Sequence, residues 1–161
     1  MIALAAWVIS DWPAVMRYYD ANAYMWRRQE CVIEKLRSLR GSPRIAMIDA
    51  GRIPFRTDLP AIDAWGLCDR RIGHEGFSAQ YLLEHPDGAP DAFIFALRDT
   101  PVGREIVFGT DKLVKAEPLF AERYSLWQVC AGRSDERPSD HNPYWYLDYG
   151  IYLRHGYAPS P

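Results

Sequence analysis

A chain of 161 residues that is 48% hydrophobic and 14% aromatic has material for one domain with a sizeable core, with or without an appended helix. Its formal net charge of −2 leaves no surplus of cations to neutralise phosphates, which argues against a nucleic-acid partner. Three cysteines (Cys31, Cys68 and Cys130) stand far apart with no CxxC and no clustered histidines; a zinc site is disfavoured, and the odd count leaves room for one disulfide at most. The cations are 16 Arg and only 3 Lys. That bias reflects either a GC-rich genome or recognition of carboxylates and phosphates by guanidinium forks.

Met1 to Ile9 are apolar, but a membrane-spanning helix needs about 20 residues. A basic n-region and a small-residue cleavage site are both missing from this stretch. It reads either as the first element of the core or as the tail of a membrane helix, with Trp7 and Trp12 as interfacial aromatics. Residues 11–40 carry apolar side chains at near-helical spacing, from Val15 and Tyr18 to Leu36 and Leu39. Asp11 is the expected cap, Pro13 suits the first turn, and Gly41, Ser42 and Pro43 form the stop. This divides the chain into residues 1–10, a connecting helix at 11–40, and a single α/β domain at 41–161.

Residues 44–49 read as a short buried strand, 50–59 as a turn back over it, and 60–65 as a second strand with Pro60 at its start. Residues 66–76 read as a loop and 77–84 as a short helix capped by Ser78 and broken at Pro86-Asp87-Gly88. The unbroken apolar run at 91–97 is the clearest strand. Residues 100–121 are ambiguous: 105–108 fit either a helical turn or a strand, and 111–115 fit a helix. Residues 123–129 alternate like a half-buried strand. After a polar loop at 131–143, the aromatic run 144–154 can pair antiparallel with them. The expected fold is α/β: a small mixed sheet with flanking helices, a long N-terminal helix and a C-terminal antiparallel hairpin. The sequence contains no internal repeat.

The densest polar stretch is residues 49–69, DAGRIPFRTDLPAIDAWGLCD, which follows the first strand. Ligands of α/β sheets bind outside the carboxyl ends of strands, so Asp49, Arg52, Asp63 and Asp69 are the candidate ligand-binding residues, with Arg56, Asp58 and His74 nearby. The functional reading is a polar pocket in which carboxylates hold sugar hydroxyls or a metal. The structural reading is that Asp49 caps the turn, Gly51 permits it and Asp63 pairs with an arginine. The chain has no GxGxxG, no GxxxxGK[ST] and no GxSxG, so no cofactor is implied and no catalytic residue is assigned. Asp63 and Asp69 as a glycosidase pair would be an arbitrary choice among 21 acids. His74, His85, His141 and His155 show no metal-ligand spacing and read as surface or capping residues. The aromatics Tyr144, Trp145, Tyr146, Tyr149, Tyr152 and Tyr157 fit either a carbohydrate platform or a packed hairpin.

At residues 49–74 the chain resembles the soluble C-terminal extracytoplasmic domain of bacterial GT-C-type membrane glycosyltransferases, the arabinofuranosyltransferase-like and mannosyltransferase-like proteins. Their pattern is roughly D-x-G-x-I-P-Y-x-S-G-L-P-x-I-D-x-x-G-L-x-D-x-x-I-A. Asp49, Gly51, Ile53, Pro54, Leu59, Pro60, Ile62, Asp63, Gly66, Leu67, Asp69 and Ile72 match it. AQYLLEHPDGAPDAFIF and YWYLDYGIYLR are similar to the family's later helix–strand unit and closing strand, so the likeness covers about residues 30–155. The chain departs at Phe55-Arg56-Thr57-Asp58, where the pattern reads Tyr-x-Ser-Gly, and at Gly73, where it has Ala.

The resemblance implies a non-catalytic accessory domain on the periplasmic face of the cytoplasmic membrane. Its partners would be the transmembrane portion of its own parent and a glycan or polyprenyl-phosphate-linked sugar. The family's catalytic acid sits in a loop between membrane helices, and no such segment is present here. Two other classes stay open: a stand-alone carbohydrate-active or nucleotide-handling enzyme using the acidic tip, and a protein-interaction domain docking through its aromatic hairpin.

Overall fold

A computed structural model describes residues 2–132 and 147–157. His141, Tyr144, Trp145, Tyr146 and most of the polar loop expected at 131–143 lie outside the described residues. In chain order the elements are α1 (Ile2–Arg37), β1 (Ile45–Met47), α2 (Arg52–Thr57), β2 (Ala61–Asp63), α3 (Arg70–Glu75), α4 (Ala79–Leu83), β3 (Ala92–Thr100), β4 (Gly103–Ile106), α5 (Gly109–Ala116), α6 (Pro118–Arg123), β5 (Tyr124–Cys130) and β6 (Asp148–Arg154).

The sheet runs β2-β1-β3-β6-β5, with β4 pairing β3 as a hairpin. β1 lies parallel to both β2 and β3, whereas β6 is antiparallel to β3 and β5. The fold is the expected α/β class with a mixed sheet, flanking helices and an antiparallel pair at the C-terminal end. Strand periodicity sorts the core into two layers. Ala92, Ile94 and Ala96 of β3 face the α1 side, where Val32, Ile33, Leu36 and Ile53 pack. Phe93 and Phe95 face the other side, against Leu82, Val114, Phe120, Tyr124 and Tyr152. A strand buried on both faces must be apolar throughout, which is why 91–97 reads as an unbroken hydrophobic run.

Several boundaries differ from the sequence reading. The first helix begins at Ile2, so Asp11 and Pro13 lie inside it and are not its start. Its C-terminal part belongs to the core, while Met16, Tyr19 and Trp26 are exposed. No helix among the described residues is long and apolar enough to cross a membrane. The turn expected at 50–59 contains α2, and the loop expected at 66–76 contains α3. Neither helix carries a propensity signal, since each is one and a half turns long. Tertiary contacts hold them instead: Ile53 is fully buried, and Arg52 and Arg56 both reach Glu30 on α1. The segment 118–123 forms α6, with Pro118 in its first turn. The ambiguous 103–106 segment is a strand, and Ser78 caps α4 as expected by accepting from Tyr81 N.

Asp58 is the one non-glycine residue with positive φ among the described residues, at 55°, and it closes α2 in the left-handed conformation. Gly adopts this conformation without a Cβ penalty, and Asp is among the few other residues that tolerate it. Replacing Asp58 with Gly should raise stability by about 0.5–1 kcal/mol in denaturant unfolding, because the strain goes and no side-chain contact is lost.

Cys31 on α1 and Cys130 at the end of β5 are joined by a disulfide across 99 residues of sequence, and Cys68 is free and exposed. The link ties the long helix to the far edge of the sheet. Thiol titration of the unfolded, unreduced protein should find one thiol; three would refute the bridge. Cys31→Ser should lower unfolding stability by about 2–4 kcal/mol, as for a long closed loop.

Candidate functional site

The backbone leaves β1 and β3 toward opposite faces. α2, after β1, packs on the α1 side through Ile53, while α5, after the β3–β4 hairpin, packs on the other side through Val114. Two neighbouring parallel strands whose connections diverge open a crevice at their carboxyl ends. A cleft of about 460 Å3 lies there, lined among others by Met25, Asp49, Trp65, Phe108, Asp111 and Tyr149. That volume is within the usual range of small-molecule sites, about 300–1,000 Å3. Three carboxylates border it (Asp49, Asp63 and Asp111), and no Arg, Lys or His is among its described lining residues.

Each carboxylate has a different job. Asp49 sits at the exposed mouth, where its Oδ2 accepts from Gln29 Nε2 at 2.9 Å. The same Gln29 nitrogen donates to the Tyr149 hydroxyl at 3.3 Å, so a buried amide on α1 braces both the mouth and the wall. Burial pushes the Tyr149 phenol up to about 12, which keeps it a neutral hydrogen-bonding group. Asp63 is buried and committed to the backbone: Oδ1 accepts from Trp65 N and Oδ2 from Cys68 N, each at 2.9 Å. It builds the loop that presents Trp65, whose ring meets Phe108 edge-on at 5.8 Å between centroids. Among the described residues no arginine pairs with Asp63, contrary to the structural reading of the sequence; two backbone N–H groups take that place. Gly51 has an ordinary negative φ. The glycine that the local backbone needs is Gly66, at φ +81°, where a Cβ would fall 2.7 Å from the Gly73 nitrogen of α3.

Asp111 lies in the first turn of α5 and is only 2% exposed. Burial raises its carboxyl to about 7, although a hydrogen bond with the Ala96 backbone pulls the other way. Its Oδ2 is buried without a hydrogen-bond partner, as is Oγ1 of the adjacent Thr110.

Arg52 and Asp69 lie apart from this cleft. Arg52 bonds Glu30 at 2.7 Å and the Trp26 carbonyl at 2.9 Å, and stacks over the Trp26 ring. Asp69 is the N-cap of α3, its Oδ1 accepting from Ile72 N at 2.9 Å. Its Oδ2 accepts from the Tyr81 hydroxyl at 3.3 Å and lies 3.4 Å from His85 Nε2. Burial alone would raise the Asp69 carboxyl, but these bonds outweigh it and hold it below its ordinary value. His85 is therefore part of a buried polar cluster, which corrects its reading as a surface cap. Its Nδ1 accepts from Asp87 N at 3.2 Å, so Nε2 carries the proton that faces Tyr81 and Asp69. This cluster belongs to a second cleft of about 860 Å3 beside the edge strand β2, which Arg44, Arg70, Arg71 and His74 also line.

Of the four candidates read from sequence, the fold thus brings Asp49 and Asp63 together and sends Arg52 and Asp69 elsewhere. Trp65, Phe108, Asp111 and Tyr149 complete the cleft and had no local signal. Asp111 in particular reads as an ordinary acid in a helix's first turn. Tyr149, expected on an aromatic surface or in a packed hairpin, is core. Among the described residues no three or more His, Cys, Asp or Glu side chains gather closely enough to hold a metal.

Asp111 gives a pH prediction. A carboxyl that titrates near 7 in the fold and near 3.8 when unfolded binds more protons folded than unfolded between those values. Its stabilising contribution is full at the acid end and is lost as pH rises through that window. Unfolding free energies of the native protein should fall between pH 5 and 8. Asp111→Asn should remove roughly 2–3 kcal/mol of that fall. Equal slopes for the two proteins would refute the raised carboxyl.

No curated protein and no solved structure matches the chain. A family model, Domain of unknown function (DUF8728), matches residues 22–149, from the middle of α1 into β6 and across every element that builds the cleft, and the chain belongs to that family.

Proposed function

We propose that this chain is a non-catalytic accessory domain of a membrane glycosyltransferase that uses polyprenyl-phosphate-linked sugar donors, and that it holds glycan at the strand tips. The observation that carries the reading is the cleft at the carboxyl ends of β1 and β3, where aromatic rings and carboxyl oxygens stand together. Sugar rings offer apolar faces to aromatics and hydroxyl hydrogens to carboxyl acceptors. The resemblance over residues 49–72 supports it, because the matching residues Asp49 and Asp63 border that cleft. A non-catalytic role is supported by the commitments of Asp63 and Asp69. Asp63 spends both oxygens on backbone N–H groups, and Asp69 spends one as a helix cap and the other on Tyr81. The Cys31–Cys130 bridge suits an oxidising compartment outside the cytoplasm.

A protein-docking role is the second reading, favoured by the exposure of Trp26, Phe55 and Leu67, the last two at 85% each. Such a face would also meet the membrane portion of the parent.

The test is an NMR titration of the 161-residue chain with short arabinan and mannan oligosaccharides and polyprenyl-phosphate head-group analogues. Millimolar binding of the oligosaccharides, with shifts confined to residues 49–69 and 106–111, is the expected result, with no response there to the phosphate-bearing head-group analogues. Asp49→Ala should weaken it several-fold by opening the mouth. Silence from a folded domain at tens of millimolar ligand would refute glycan holding.

A further inference from the structure

We infer that the cleft between β1 and β3 is a subsite for one uncharged sugar ring, in which Asp111 Oδ2 accepts a hydroxyl hydrogen of the ligand while Trp65 and Phe108 cover an apolar face of the ring. The inference rests on the glycan-holding reading and narrows it to ligand class and residue.

Asp111 supplies the first argument. It lines the cleft and is almost fully buried, and its Oδ2 has no partner among the described residues. Buried polar atoms of native proteins are nearly always satisfied, so an orphaned carboxyl oxygen on a residue that lines a cleft is the unmet acceptor that a ligand donor would satisfy. The neighbouring Thr110 Oγ1 is likewise buried without a partner, so the deficit is local to the first turn of α5.

Charge supplies the second argument. With three carboxylates and no described cation on its lining, the cleft repels phosphate. The phosphate of a lipid-linked donor is thereby excluded, which leaves a neutral ligand such as acceptor glycan. An ammonium is a donor only and matches the ionised form of Asp111 alone. The Asp111 carboxyl is raised to about 7, and a hydroxyl, which both donates and accepts, matches its neutral and its ionised form.

Apolar surface supplies the third. Met25, Leu67 and Leu147 join the aromatic rings, so most of the lining suits the C–H face of a sugar ring.

The experiment follows backbone amides of the full chain by NMR with three separate additions: a neutral arabinan or mannan oligosaccharide, inorganic phosphate, and ethanolamine. The oligosaccharide is expected to shift Trp65, Phe108, Thr110 and Asp111, and the other two to leave them in place. Asp111→Leu and Trp65→Ala should each weaken oligosaccharide binding at least tenfold. Trp65 is more than half exposed, so its truncation tests the site even if the buried Asp111 variant does not fold. Oligosaccharide shifts elsewhere on the domain, or undiminished binding by folded Asp111→Leu or by Trp65→Ala, would overturn the subsite and leave glycan holding intact. Phosphate or ethanolamine shifts at these four residues would overturn the ligand class. No response to any oligosaccharide would overturn both the subsite and the broader reading.

Discussion

β3 is the constraint on which the rest depends. Its first six residues are buried, so helices must cover both sides of the sheet. α1 supplies one cover, and α3 to α6 supply the other. Because β1 lies beside β3 and its outgoing chain turns to the α1 side, the two connections part at the carboxyl ends. The cleft is a consequence of that divergence. It would open at this place whatever side chains lined it, and the side chains decide only what it holds.

The acidic stretch 49–69 shows how a sequence can look like chemistry and be mostly architecture. Asp58 occupies a left-handed backbone position, Asp63 holds two amides of a tight loop, and Asp69 starts a helix. A short segment that turns from strand to helix to strand to helix leaves many amides without partners, and short acidic side chains are the usual solution. Gly66 and Gly73 approach so closely that neither accepts a Cβ without movement.

The strands other than β4, and the helices at 11–40, 77–84 and 111–115, are legible because each carries a period or a cap of its own. The unbroken run at 91–97 and the alternation at 123–129 are such signals. α2, α3 and α6 are not, since six-residue helices are stabilised by what they touch: Ile53 under α1, Ile72 under the sheet, Phe120 among Phe93, Phe95 and Tyr152. The disulfide is illegible for a related reason. Nothing local distinguishes Cys31 and Cys130 from Cys68; only the packing of α1 across the sheet brings two of them together. The cleft is half legible. Asp49 and Asp63 follow strands directly, but Asp111 and Tyr149 arrive from 60 and 100 residues later in the chain, through pairings that no local pattern encodes.

The two clefts differ in how their carboxylates are accompanied. The tip cleft collects carboxyl groups and aromatic rings without a described cation, while the cleft beside β2 interleaves Asp69, Glu75 and Asp87 with Arg44, Arg70, Arg71, His74 and His85. Asp63 lines both, yet both of its oxygens are held by backbone amides, so it separates the two environments and supplies neither with a free acceptor. Negative charge therefore goes unopposed by any described side chain at the tip and is mixed with positive charge on the other face. The tip contributes one unsatisfied buried oxygen, aromatic faces and a neutral phenol, a set complementary in chemistry to hydroxyls and ring C–H surface. What the fold leaves unpaired sets the character of the tip: Asp49 and Asp63 have partners already, and Asp111 alone of the three has a buried oxygen without a hydrogen-bond partner among the described residues.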